Sequence, residues 1–393
     1  MLAPKLRFKE FNDEWKKIKL KNISTELQYG MNVAATDFDG MNKYIRITDI
    51  DDNTHLYNNN PVSPDGKLEE KFLVNTNDIL FARTGASTGK TYLYSIEDGR
   101  LFFAGFLIRA HIKENNNSRF IFEQTNLSRY KNWLKLTSMR SGQPGINSAE
   151  YGNYEFSITN IDEENKIAHF FELLNKKIEL QQRKKEVLKM YKRGLSNKLF
   201  NQKANSMFKE CFLHMGGTAL EKYVNSTGKY KFISIGNYSS DGTYVDNNQR
   251  IDNIATTTDK ILDKDNLVMV LNDKTSQGNI IGSTILIDKD DLYIYNQRSE
   301  RIICNNKIIP LYAWCILNSP NFRATIFKKS QGGTQIYINF SEIEKLKLYI
   351  PNIKEQDKLS QIYISIVKKI DLEIAYFDNL KLLKKSLLQQ MFI

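Results

Sequence analysis

Residues 146–200 read INSAEYGNYEFSITNIDEENKIAHFFELLNKKIELQQRKKEVLKMYKRGLSNKLF, and residues 338–392 repeat the pattern as INFSEIEKLKLYIPNIKEQDKLSQIYISIVKKIDLEIAYFDNLKLLKKSLLQQMF. The two segments align without a gap at an offset of 192 positions and are identical at 17 of 55 pairs. Shared composition alone would give about four identities. The chain therefore contains an internal duplication, and each half ends in the repeated segment.

Each repeated segment carries the start signal of a long helix. Asn160 and Asn352 can accept a hydrogen bond from the backbone N–H three residues later, and Glu163 and Glu355 are predicted to reach back to the cap. No proline follows within either helix, and Gly194 is the only glycine. Helices of about 40 residues are therefore predicted over 159–200 and 351–393.

Apolar residues recur at steps of three and four along both helices, which is typical of a buried stripe. The predicted packing residues are Ile167, Phe171, Leu174, Ile178, Leu188 and Leu195 in the first helix, and Leu359, Ile362, Ile366, Ile370, Phe377, Leu380 and Leu387 in the second. Tyr191 and Leu383 continue the same recurrence. A helix that outlasts its own domain must bury its stripe elsewhere, and its duplicate is the simplest partner. We therefore predict an antiparallel coiled coil; the alternative is that each helix folds back on its own domain.

The segments before the helices are called head 1 (residues 1–158) and head 2 (residues 211–350), with a linker at 201–210. Both are rich in Tyr, Phe, Ile, Thr, Asn and Gly and are predicted to contain short strands joined by turns. Predicted strands include Lys43–Thr48, Asp78–Ala82, Leu101–Ile108 and Leu267–Leu271, and predicted helical stretches are Ile121–Met139 and Pro310–Lys329. The predicted fold is α+β, with two mixed α/β heads separated by two long antiparallel helices in a pseudo-twofold repeat.

The charge of the chain favours a polyanionic partner. The formal net charge is +11 and the sequence pI is about 9.2, and lysines and arginines that neutralise phosphates release counterions. The alternative is a lysine-rich protein without an anionic ligand. Three cysteines without a CxxC pair indicate neither a zinc site nor a disulfide framework, and no apolar run is long enough to span a membrane. A cytoplasmic protein without a membrane segment is expected.

Four glycine-containing loops in the heads carry side chains suited to base edges and phosphates. Their predicted DNA-binding residues are Arg83, Thr84, Ser87, Thr88, Lys90, Arg140, Ser141, Gln143 and Asn147 in head 1, and Asn272, Lys274, Thr275, Ser276, Gln277, Asn279, Gln331, Thr334, Gln335, Tyr337 and Asn339 in head 2. Arginine is suited to guanine, glutamine to adenine and lysine to phosphate. The alternative for each loop is an ordinary polar turn.

Catalytic motifs are not found in the sequence. Residues 84–91 resemble a phosphate-binding loop but lack its first glycine and continue as a strand, not a helix. The four histidines are scattered, and neither a dinucleotide fingerprint nor an amino-methyltransferase signature is present. We expect no catalytic residues and no metal site.

Several features together resemble the specificity subunits of type I restriction-modification enzymes. They are Trp15 after a charged start, the stretch Asp78–Gly85, the Gly-Thr-Gln at 333–335 before the helix at Pro351, and the repeated helix near the end of the sequence. The resemblance extends over essentially the whole chain. It implies that the heads are target-recognition domains that each read one half of a split DNA site, while the helices set the spacing.

The resemblance also implies partners and cofactors. Two methyltransferase subunits would dock on the helices, and restriction subunits would complete the enzyme on double-stranded DNA. S-adenosylmethionine, ATP and magnesium would bind those partners, and this chain would bind no cofactor. The alternatives are a helical scaffold with peptide-binding heads and a stand-alone DNA-modifying enzyme.

Overall fold

The computed structural model describes residues 3–52, 54–138, 144–252 and 257–393, and the chain divides into two compact units. Unit 1 comprises the chain up to Gln182 together with Phe377–Ile393, and unit 2 comprises Arg183–Tyr376. Each long helix contributes residues to both units, whereas the predicted domain boundaries treat the helices as segments of their own. Those boundaries stay a prediction.

Unit 1 is built from short strands and helices followed by the first long helix. Its strands are β1 (Lys16–Lys19), β2 (Ser24–Tyr29), β3 (Ala35–Thr36), β4 (Lys43–Ile45), β5 (Ser63–Pro64), β6 (Asp78–Ala82), β7 (Thr91–Leu93), β8 (Leu101–Phe103), β9 (Leu107–Ile112) and β10 (Glu155–Ile158). Its helices are α1 (Leu20–Ile23), α2 (Ser118–Gln124), α3 (Ser128–Ser138), α4 (Ser148–Asn153) and the first part of α5 (Ile161–Phe200).

Unit 2 repeats this order of elements. Its strands are β11 (Ser206–Met207), β12 (Phe212–Gly216), β13 (Tyr230–Ile233), β14 (Arg250–Ile251), β15 (Ile261–Leu262), β16 (Leu267–Val270), β17 (Asn272–Asp273), β18 (Thr284–Leu286), β19 (Tyr293–Tyr295), β20 (Ser299–Cys304), β21 (Ile336–Tyr337) and β22 (Lys347–Leu348). Its helices are α6 (Pro310–Leu317), α7 (Pro320–Lys329), α8 (Phe340–Ile343) and the first part of α9 (Ile353–Met391).

The main sheets of the two units have the same topology. The main sheet of unit 1 has the strand order β2-β9-β6-β7, and that of unit 2 has the order β12-β20-β16-β18. A parallel pair follows in each, with Lys43 opposite Leu101 on β4 and β8, and Lys231 opposite Tyr293 on β13 and β19. The duplication therefore includes the heads, where the sequences have diverged, and the predicted α+β class with a repeated mixed domain is confirmed.

The central strand β6 shows why the head-1 sheet is buried on both faces. Its sequence DILFA is buried throughout. Successive side chains alternate between faces, so Ile79 and Phe81 pack into a cluster with Phe171 and Phe392, and Leu80 packs into a second cluster on the other face. A continuous apolar run is typical of a strand covered on both sides.

The two long helices pack antiparallel within each unit. In unit 1 the rings of Phe171 and Phe392 lie 5.8 Å apart. Glu123 of α2 contacts both long helices there, because it accepts from Asn175 of α5 at 2.7 Å and lies 3.5 Å from Lys384 of α9. In unit 2 Lys184 pairs with Glu373 at 2.7 Å. There the rings of Phe200 and Tyr363 lie 5.2 Å apart. As residue numbers increase along α5, the contacting residues on α9 decrease in number, so the two helices run in opposite directions.

The buried stripe of α9 differs from the predicted one. Ile370, Phe377 and Leu380 are buried as predicted, but Ile362 is 38% exposed and Leu383 is 48% exposed. The buried side chains of this stripe are Ser360, Tyr363, Val367, Ile370, Phe377, Leu380, Leu388 and Met391, at steps of three or four residues or of seven or eight, which is about two turns of the helix. On α5 Ile167 and Phe171 are buried, Leu174, Ile178, Leu188 and Leu195 are partly buried, and Tyr191 is 53% exposed. The remaining α9 predictions, Leu359, Ile366 and Leu387, are partly buried.

Both predicted helix caps form, but without the reciprocal glutamate bonds. Asn160 Oδ1 accepts from Glu163 N at 2.9 Å, and Asn352 Oδ1 accepts from Glu355 N at 3.0 Å. The Glu163 carboxylate binds Arg7 at 2.7 Å instead of reaching back. Glu355 accepts a bond from the Tyr349 hydroxyl at 3.2 Å. The prediction of a reciprocal glutamate bond is wrong, because each carboxylate binds another donor, Arg7 for Glu163 and Tyr349 for Glu355.

Turns divide several predicted elements. The predicted strand Leu101–Ile108 is two strands, because the turn at Ala104–Phe106 folds over Met31, whose carbonyl accepts from Gly105 N at 2.7 Å. The predicted strand Lys43–Thr48 ends at Ile45, where a short 3-10 helix follows. The predicted helical stretches Ile121–Met139 and Pro310–Lys329 each contain two helices in the described residues.

Candidate nucleic-acid interface

Two predicted loops of head 1 lie side by side at the end of β6. Thr84 forms an isolated bridge with Gly145, and Gly85 N donates to Pro144 O at 3.0 Å. The hydroxyl of Thr88 donates to Gly85 O at 2.8 Å. The segments 83–90 and 144–147 therefore form one surface, although they are about 60 residues apart in the chain.

Arg83 lies on this surface with its guanidinium over the ring of Tyr29, 4.8 Å from the centroid. The Tyr29 hydroxyl is held by Ser148 N at 3.1 Å. Among the residues that the structure describes, the buried Arg83 Nε has no hydrogen-bond partner. A half-exposed guanidinium supported by a ring is well placed to bind a base or a phosphate.

Two other predicted residues of head 1, Lys90 and Asn147, have intramolecular contacts. Lys90 Nζ donates to Ile50 O at 2.9 Å and lies 2.5 Å from Asp52. Asn147 caps helix α4, since its side chain accepts from Glu150 N at 2.9 Å. These contacts hold the loops in place, and the DNA contacts predicted for these residues stay predictions. Ser87 is partly exposed, whereas Arg140, Ser141 and Gln143 lie outside the described residues.

In head 2, a tight loop presents a series of polar side chains. Asp273 is buried and accepts from Thr275 N at 2.9 Å and from Ile280 N at 2.8 Å. Arg323 holds the far side of the loop, because it donates to Ile281 O at 2.7 Å and to Asn279 O at 2.9 Å. Burial lowers the pKa of the Arg323 guanidinium to about 10, so it stays charged at neutral pH. The predicted residues that this loop exposes are Lys274, Thr275, Ser276, Gln277 and Asn279.

The second predicted loop of head 2 pairs with the first. Asn272 lies opposite Tyr337 on β17 and β21, as Thr84 lies opposite Gly145 in head 1. Gln331 and Tyr337 exchange backbone hydrogen bonds of 2.8 and 2.9 Å. The predicted residues Gln331, Thr334, Gln335, Tyr337 and Asn339 are all exposed. The structure thus brings the two predicted loops of head 2 together, as it does the described segments 83–90 and 144–147 of head 1. Contacts of the predicted residues with DNA stay predictions.

Sequence reasoning missed two residues of this region, Phe106 and Arg298. Phe106 is 60% exposed, and its carbonyl accepts from Arg83 N at 3.0 Å. The carbonyl of Arg298 accepts from Leu271 N at 2.9 Å. Extension of the offset of 192 upstream of residue 146 would have aligned Phe106 with Arg298, although nothing else in the sequence points to either residue.

Other classes of site are sparse in the described part of the chain. Its histidines, cysteines and carboxylates form no group of three or more that could hold a metal ion. Cys211, Cys304 and Cys315 are free thiols. A search of the described helices finds none with the length and apolar character that crossing a lipid bilayer requires.

Comparisons with known proteins identify relatives of both halves. A model of the type I restriction modification DNA specificity domain matches the chain twice, over residues 12–190 and 207–377. The specificity subunit of the type I restriction enzyme MjaVIII of Methanocaldococcus jannaschii is 23% identical over 349 residues, which cover 81% of this chain and 79% of the relative.

Solved structures share the fold. The S subunit of a type I restriction-modification system from M. genitalium matches with a TM-score of 0.62 at 16% identity, over 100% of this chain and 99% of that chain. A chain from a structural study of complex assembly and conformational transition in the type I R-M system matches with a TM-score of 0.59 at 13% identity, over 96% of this chain and 97% of that chain.

Proposed function

We propose a role for this chain from one premise: it belongs to the type I restriction-modification DNA specificity family. It is the specificity subunit of a type I restriction-modification system, and its two specificity domains recognise a bipartite DNA target. We infer that each head reads one half of that target. The observation that carries this proposal is the pair of equivalent loop surfaces, one in each head, with different side chains on the same framework.

The division of labour follows from the chemistry available. We propose that this subunit is not catalytic and acts on cellular DNA in the cytoplasm. Methylation, with S-adenosylmethionine as the methyl donor, would be the task of two methyltransferase subunits. ATP- and magnesium-dependent cleavage would be the task of restriction subunits. The net charge of +11 supports binding to the phosphates of double-stranded DNA.

The long helices offer surfaces for the methyltransferase subunits. On the part of α5 that belongs to unit 1, Leu173 is 55% exposed and Leu180 is 58% exposed, at a spacing of seven residues. Residues seven apart lie on one face of a helix. Exposed apolar side chains in such a row are typical of a protein interface. We propose that a methyltransferase helix packs on this face, and that the two long helices set the spacing of the half-sites.

The test is to express the chain with the methyltransferase of its own system in a host without DNA methylation and to map modified adenines across the genome. We expect a gapped two-part motif that disappears when this chain is omitted. Methylation by this chain alone would identify an enzyme and overturn the proposal. Methylation without a defined sequence motif, or at a motif with only one part, would also contradict it.

A further inference from the structure

The turn before β9 in head 1 and the turn before β20 in head 2 have the same backbone frame. Ala82 pairs with Leu107 on β6 and β9, and Val270 pairs with Ser299 on β16 and β20. One step further, Arg83 N donates to Phe106 O at 3.0 Å, and Leu271 N donates to Arg298 O at 2.9 Å. These two hydrogen bonds are equivalent.

The next backbone bond confirms that frame. Ile146 N donates to Arg83 O at 2.9 Å, and Ile338 N donates to Leu271 O at 3.0 Å. In each head, the residue that follows the strand is therefore bonded through its N–H to the turn and through its carbonyl to the second recognition loop. Arg83 is equivalent to Leu271, and Phe106 is equivalent to Arg298.

The side chains on this frame are exchanged between the heads. Residues directly opposite each other in an antiparallel pair point to the same face, with Cβ atoms about 5 Å apart. Head 1 has the guanidinium of Arg83 directly after β6 and the aromatic ring of Phe106 on the turn. Head 2 has an apolar Leu271 directly after β16, as Arg83 directly follows β6, and the guanidinium of Arg298 on the turn. Each head thus places one arginine and one apolar side chain at the same point beside its loops.

The guanidinium of Arg298 is available for a ligand, whereas those of Arg301 and Arg250 in unit 2 are paired with carboxylates. Arg301 pairs with Asp263 at 2.6 Å, and Arg250 pairs with Asp246 at 2.9 Å. Within the described residues, the half-exposed guanidinium of Arg298 forms neither a hydrogen bond nor an ion pair; its backbone N–H donates to Asn296 Oδ1 at 3.1 Å, which fixes the turn. Five N–H donors remain for a partner outside the chain.

We infer that Arg298 is a specificity-determining residue of head 2 and binds guanine in the half-site that this head reads. Arginine can donate two hydrogen bonds to O6 and N7 of guanine, which is the commonest specific contact in the major groove. Arg298 therefore has the role in head 2 that the sequence predicts for Arg83 in head 1. The inference rests on the proposed function of the heads.

The test uses the methylome assay with single substitutions at this position. Arg298→Ala relaxes one guanine position of one half-site, with at least about a tenfold loss of discrimination there. Arg298→Gln changes the preference at the same position from guanine to adenine, because glutamine pairs with N6 and N7 of adenine. The other half-site and the spacer stay unchanged in both variants. Arg83→Ala, the matched control, affects only the opposite half-site.

The outcomes separate this inference from the proposed function. Absence of a gapped motif with the wild-type chain refutes the proposed function. A wild-type motif that persists in Arg298→Ala refutes the role of Arg298, and so does a uniform loss of methylation at all bases of both half-sites. If Arg298→Ala is insoluble, Arg298→Gln and Arg298→Lys keep a polar side chain with an aliphatic stem, and an unchanged guanine preference in both overturns the inference.

Discussion

The carboxylate of Glu164 lies buried near the start of the first long helix. It accepts from Asn117 N at 2.7 Å and from Thr159 N at 3.2 Å, yet burial raises its pKa to about 7. Head 2 has Gln356 at the equivalent position, which accepts from Ile309 N at 2.9 Å and donates to Pro351 O at 2.8 Å. Thr159 has an N–H that a carboxylate can accept from, whereas the equivalent residue in head 2, Pro351, has none. The Gln356 amide instead donates to the carbonyl of Pro351.

The raised pKa makes the stability of unit 1 depend on pH. Below pH 4.5, the ordinary pKa of glutamate, the group is protonated in both the folded and the unfolded chain. As the pH rises from there to about 7, only the unfolded chain loses the proton, so the folded state is destabilised. The difference between the two pKa values corresponds to about 3 kcal/mol above pH 8. Glu164→Gln removes this loss, although it also removes one acceptor, whose cost does not depend on pH.

The assay is urea unfolding between pH 4.5 and 8 in a Trp314→Phe background, where Trp15 and Trp133 report on unit 1. The free energy of unfolding of Glu164→Gln, relative to the parent, should increase by about 3 kcal/mol over this range. Glu172→Gln, an exposed position on the same helix, should show no such change. A relative stability of Glu164→Gln that is flat with pH, or that falls as pH rises, would refute the reasoning.

Three further predictions concern packing, assembly and recognition. Phe171→Ala should lower the free energy of unfolding by roughly 3–5 kcal/mol because it empties a fully buried site, whereas Leu173→Ala should change it by less than about 0.5 kcal/mol in the same denaturation experiment. Leu180→Asp should abolish co-purification with the methyltransferase subunit and leave the melting temperature unchanged; retained co-purification would exclude this face. Asn147→Ala should cost about 1 kcal/mol through loss of the α4 cap, whereas Asn339→Ala, which removes no cap bond, should weaken methylation without loss of stability.

The long helices and the duplication could be predicted because they depend on local signals. Asn160 and Asn352 mark the helix starts, and the observed helices begin one residue later. The buried face of α9 was predicted only in part. Ile362 and Tyr363 are adjacent in the sequence, and either could continue the apolar stripe. Tyr363 is the buried residue of the two because its ring packs against Phe200.

The recognition surface could be predicted as a set of loops but not as a set of contacts. Lys90 and Asn147 have the chemistry of DNA ligands, but Asp52 and Glu150 lie within reach and bind them. Such pairings depend on the tertiary fold. The exchange of arginine between the strand and the turn was also beyond the sequence, since Arg298 becomes comparable with Arg83 only when the turn is placed beside the strand.

The central claim, that each head reads one half of the target independently, is tested most directly by a chain with two copies of head 1. Residues 18–156 replace residues 206–348, because both boundaries lie in matching base strands, where Ile18 pairs with Phe156 and Ser206 pairs with Leu348. Mapping of methylated adenines should then give a symmetric motif, in which the half-site of head 1 occurs twice in inverted orientation with the original spacer. A motif that still contains the half-site of head 2 would contradict the account.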